Sequence, residues 1–132
     1  MRLARPPQLR IARPSADLRA ATEFYTRALG FEVLGAFDDH AGFDGVMLGH
    51  AGWPYHLELT HRRHAPIAPR PTEEDLLVFY VPDRAEWSAA VHRVRDAGAA
   101  EVAAANPYWA VRGVTFLDPD GYRFVLEHDT WP

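Results

Sequence analysis

At 132 residues the chain has the length of one domain with a sizeable core, and 48% apolar with 24% charged residues is ordinary globular composition. No apolar run approaches the roughly 18 residues of a membrane span, and the absence of cysteine removes disulfides, thiolate metal sites and cysteine nucleophiles, which fits the cytoplasm. Every basic residue is arginine, so Schiff-base chemistry on lysine is excluded, and a net charge of −4 disfavours general nucleic-acid binding.

Residues 1–7 read as a disordered tail, whose charged start lacks the apolar stretch of a secretory signal. Leu9–Arg13 is a short strand. Pro14 to Asp17 opens a helix, with Ser15 or Asp17 as its cap. Leu18, Ala21, Tyr25, Ala28 and Leu29 keep helical spacing, and Gly30 closes the helix. Strands are predicted over Phe31–Phe37, Gly45–Gly49 and Tyr55–Thr60. A hinge over 61–74 holds His61, Arg62, Arg63, His64 and three prolines.

The second half repeats this order. Leu76–Val81 is a strand. Asp83 caps a helix with Trp87, Val91, Val94 and Ala97 on one face, and Gly98 ends it. Strands follow near Ala100–Ala104, Val111–Leu117 and Tyr122–Glu127. The last two flank Asp118-Pro119-Asp120-Gly121. Proline presets φ, aspartate bonds nearby backbone and glycine takes φ > 0, so these strands pair as a hairpin. The order repeats as two βαβββ units, about 8–60 and 75–128, within one domain at 8–128.

Two motifs, Phe24-Tyr25 with Leu29-Gly30-Phe31 and Asp118-Pro-Asp-Gly-Tyr122, resemble the vicinal oxygen chelate superfamily, which holds glyoxalases, bleomycin-resistance proteins and extradiol dioxygenases. Asp44-Gly-Val-Met47, Tyr55-His-Leu-Glu58, Leu76 to Pro82 and Asn106-Pro-Tyr-Trp109 are similar to a small bacterial glyoxalase-like subgroup with no assigned activity. The resemblance implies an α+β fold: two βαβββ units forming one curved mixed eight-stranded sheet around a cavity, helices outside. It also implies a homodimer.

Members with metal chemistry place ligands on the first and last strand of each unit. The resemblance puts those positions on Arg10, Glu58, Leu76 and Val125. Arginine stays protonated, and leucine and valine offer no lone pair. No metal and no cofactor are therefore expected. His56 with Glu58, or His61 with His64, are the remaining histidine-based candidates for a metal, and a metal-dependent glyoxalase-like enzyme is the least favoured reading.

The resemblance implies that Arg10 and Glu58 share a sheet face, as an ion pair that plugs the site or as an anchor for a polar or anionic ligand group. Tyr108 and Trp109 offer flat surfaces to a planar ligand, or pin a loop. Tyr80, Arg112 and Glu127 are further candidates for ligand binding. Arg112 alternatively reaches solvent, and Glu127 alternatively sits at an exposed tail. Three roles stay open. One is metal-free binding of a small planar or aromatic molecule, in resistance or sequestration. Another is a metal-independent lyase or isomerase with Glu58 or His56 as general base. The third is a degenerate partner subunit with a collapsed cavity. Neither nucleic acid nor membrane is an expected partner.

Overall fold

The turn at Asp118 is built as its residues dictate. In the computed structural model, which describes residues 2–131, the Asp118 carboxylate accepts from the backbone N–H of Asp120 and of Tyr122, both at 2.9 Å. Gly121 takes φ +87°, a conformation that disfavours side chains. The flanking strands β7 (Gly113–Leu117) and β8 (Arg123–Glu127) run antiparallel, with Leu117 opposite Arg123.

The chain divides into two compact units, one carrying β1–β4 and the other β5–β8. In the first, β1 (Leu9–Pro14) precedes α1 (Leu18–Ala28), then β2 (Glu32–His40), β3 (Phe43–Gly49) and β4 (Tyr55–Arg62). The second repeats the order with β5 (Leu76–Tyr80), α2 (Arg84–Asp96), β6 (Ala100–Val102), a short α3 (Tyr108–Val111), β7 and β8. Each unit forms a mixed four-stranded sheet, ordered β1-β4-β3-β2 in one and β5-β8-β7-β6 in the other. The two βαβββ units of an α+β fold are thus present, with strands hydrogen-bonded inside each unit.

Caps set the helix starts. Asp17, not Ser15, caps α1 by accepting from the Ala20 N–H at 3.0 Å, and Asp83 caps α2 by accepting from Glu86 at 2.9 Å. Ser15 is buried instead, its backbone N–H bonded to the Thr60 carbonyl.

Strand alternation sorts the two faces of each sheet. In the first unit Val46, Leu48, Leu57 and Leu59 are buried, as are Ala21, Tyr25 and Phe31. In the second, Phe116, Phe124 and Leu126 are buried with Val91 and Val94 of α2. The Trp87 indole N–H fixes α2 by donating to the Leu126 carbonyl at 2.9 Å.

Several boundaries differ from expectation. The segment read as a loop at Tyr108 is a single helical turn, so β7 begins at Gly113 rather than Val111. The β2–β3 hairpin extends to His40 and Phe43 through irregular register, with Asp39 and Ala41 at positive φ. Residues 2–8 are exposed and carry no helix or strand; Met1 of the expected tail lies outside the described residues. Among the described residues no helix is long and apolar enough to cross a membrane.

Candidate functional site

The polar cluster of the first unit grows from one strand pair. Strand β1 runs parallel to β4 and places Arg10 beside His56, with Ala12 beside Glu58. Residues two apart share a face, so Arg10, His56 and Glu58 stand together. The Arg10 Nε donates to His56 Nε2 at 2.8 Å, and its Nη1 donates to a Glu58 oxygen at 3.0 Å. The Arg10 side chain is half exposed, while that of Glu58 is largely covered. His56 is buried, and its Nδ1 has no partner among the described residues. Because Nε2 accepts from arginine, the neutral ring carries its proton on Nδ1.

A divalent metal does not fit these residues. The guanidinium occupies the ring lone pair and one carboxylate oxygen, and it remains positively charged. Leu76 and Val125, the other implied ligand positions, provide no donor atom. Among the described residues no group of three or more histidine, aspartate or glutamate side chains is placed to hold a metal ion.

The second unit carries a different kind of site. A cleft of about 380 Å³ has Leu76, Val78 and Thr115 on its sheet side, Trp109 as its aromatic wall, and Glu73, Asn106 and Arg123 among its polar lining. The parallel register explains the sheet side: Leu76 pairs with Arg123 and Val78 with Val125, while Thr115 pairs with Val125 from β7. Asn106 starts the turn that positions the wall, accepting from the Tyr108 N–H at 3.0 Å. Tyr108 and Trp109 meet edge to face, with ring centroids 4.9 Å apart. Arg123 is held by the Ala103 carbonyl at 3.1 Å and lies 3.9 Å from Glu73. Glu74 also lines the cleft, giving it an acidic bias.

The other expected residues of this unit, Tyr80, Tyr108, Arg112 and Glu127, are not part of the cleft's lining. Tyr108 is exposed, and Tyr80 is more than a third exposed. Arg112 reaches toward solvent and lies 3.5 Å from Asp129. Glu127 is buried, opposite Tyr80 in the register, so it is not an exposed tail residue. Burial, aided by the nearby Asp129, pushes its carboxyl above the usual carboxylate range, against a smaller opposing pull from Arg112. Sequence reasoning missed Thr115, Arg123 and the two glutamates. Arg123 enters through the pairing of β5 with β8, which sets it beside Leu76 and leaves no local signal in the sequence.

Comparison with known proteins agrees with this frame. Residues 9–60 match the YycE-like N-terminal domain, and residues 74–128 match the YycE-like C-terminal domain. The protein YycE of Bacillus subtilis (strain 168) is 44% identical over 119 residues, covering 90% of this chain and 86% of that protein. A crystal structure of a Bacillus subtilis YycE protein of unknown function superposes with a TM-score of 0.88 at 41% identity, covering 96% of this chain and 93% of that one. Glyoxalase I of Leishmania major shares the fold with a TM-score of 0.71 at 22% identity, over 92% of this chain and 86% of that one. TnmS3, an antibiotic binding protein from Streptomyces sp. CB03234, does so at 0.67 and 23% identity, over 96% and 97% of the two chains. The chain belongs to the YycE-like family.

Proposed function

We propose that this protein binds a small planar aromatic molecule without a metal, in sequestration or resistance, and works as a cytoplasmic homodimer. The observation that carries the reading is the Trp109 cleft. Its volume of about 380 Å³ suits a small ligand, and it joins an aromatic wall to an apolar sheet surface. Glu73 and Glu74 outnumber Arg123 in the lining, a balance that favours a ligand with positive charge. The antibiotic binding described for TnmS3 is a use of the same fold that matches this reading.

Proflavine, a planar aromatic cation, is a suitable probe. It should quench tryptophan fluorescence saturably, with one site per chain. Trp109→Ala should weaken binding roughly tenfold or more, as stacking contributes about 1–3 kcal/mol per ring. Equal affinity in wild type and Trp109→Ala, or no saturable binding, would overturn the proposal. Native mass spectrometry of freshly purified protein would identify a resident ligand. The enzymatic reading has weaker support, because Arg10 already engages His56 Nε2 and one Glu58 oxygen, the atoms a general base would use.

A further inference from the structure

We propose that Arg10 is the residue that keeps the first sheet closed to metal ions, a cation built into the chain where His56 and Glu58 converge. This goes beyond ligand binding in the second unit and stands on different residues.

Histidine and glutamate two residues apart on one strand face are a chelating pair in composition and direction. The ring is also set in the form a metal would need. Its proton sits on Nδ1 and its Nε2 lone pair points at a positive group. The positive group is Arg10, whose Nε donates to His56 at 2.8 Å and whose Nη1 donates to Glu58 at 3.0 Å. A guanidinium does not deprotonate in the physiological range, so raising the pH does not remove its charge from the pair. On β1 the other neighbour is Ala12, the register partner of Glu58, which brings no donor or charge. Residue 10 alone on that strand therefore decides whether the pair faces a fixed cation or an open position. An imidazole at position 10 would lie beside His56 in register and complete a three-ligand face.

The test is titration of chelator-treated protein with nickel chloride by calorimetry. Wild type should show no saturable site that depends on Glu58. Arg10→His should bind one Ni²⁺ per chain, roughly tenfold or more tighter than wild type. Glu58→Gln added to that variant should abolish the gain, which separates this site from weak binding by surface histidines such as His61 and His64. Arg10→Ala removes the charge without adding a ligand and should show a smaller gain with the same dependence on Glu58. It carries the test if Arg10→His does not fold. The proposal fails if wild type binds Ni²⁺ stoichiometrically through Glu58. It also fails if a folded Arg10→His, or Arg10→Ala in its place, gains nothing. Proflavine titration of the same variants reports on the Trp109 cleft separately, so either proposal can fail without the other.

Discussion

Glu127 ends β8 with a buried carboxyl, one oxygen of which has no partner among the described residues. Its pKa is raised in the folded state, so folding favours the protonated form. The stability it contributes is complete below its ordinary value of 4.5 and is lost as pH rises through the folded value. Glu127→Met has similar length and nothing to ionise. It should match wild type near about pH 4 and gain about 1–3 kcal/mol near about pH 7, read from thermal melts across that range. A constant difference at both ends would count against a desolvated carboxyl. The Arg10–Glu58 pair behaves differently, because half of the Arg10 side chain is in solvent. Glu58→Ala should cost only about 1 kcal/mol in a denaturant titration. Within the first-unit cluster, strand alternation alone puts His56 and Glu58 on one face, while Arg10 was placed beside them by the family resemblance. The Trp109 cleft was half legible. The tryptophan stood out beside Asn106-Pro107, but Thr115 and Arg123 enter through a register that depends on where β5 and β8 pair.

Among the elements, the junction of α3 and β7 leaves no room for a side chain. A Cβ on Gly113 would stand 2.5 Å from the Trp109 carbonyl oxygen, 3.0 Å from a Val125 methyl and 3.2 Å from a Glu127 oxygen. The first of these is backbone and cannot swing away. Gly113→Ala should therefore displace the turn that carries Trp109, cost about 1–3 kcal/mol and weaken proflavine binding. Unchanged affinity with a normal melting point would mean that the turn gives way freely. The fold itself was readable where local chemistry is decisive. Asp17 and Asp83 cap helices, and Asp118 with Gly121 makes the hairpin turn whatever surrounds them. The single turn of α3 was not readable, because four residues after a proline have no periodicity to detect. The extension of β2 and β3 escaped notice for a related reason. It passes through bulges and through Asp39 and Ala41 at positive φ, which alternation does not anticipate.

At the scale of the whole molecule, the repeated unit order was legible because the same strand–helix–glycine–strand sequence occurs twice. Assembly leaves no such trace, and its prediction rests on what the surface leaves uncovered. On β2, an edge strand of its sheet, Val33 and Leu34 are 50% and 39% exposed. In the second unit Tyr108 and Val111 are 56% and 78% exposed. Apolar side chains scattered singly need no explanation, but Tyr108 and Val111, three residues apart on one short helix, together make the kind of surface that a second copy covers. Burial of that kind is apolar, so it should resist salt rather than depend on it. Light scattering coupled to size-exclusion chromatography should give twice the 14.9 kDa chain mass at micromolar concentration. The mass should stay the same at low and high ionic strength. A mass of one chain throughout would remove the homodimer from the proposed function and leave the Trp109 cleft, whose lining all comes from one unit of one chain, as a monomer's site. A dimer that dissociates as salt is raised would instead show that ion pairs, not these apolar side chains, hold the copies together.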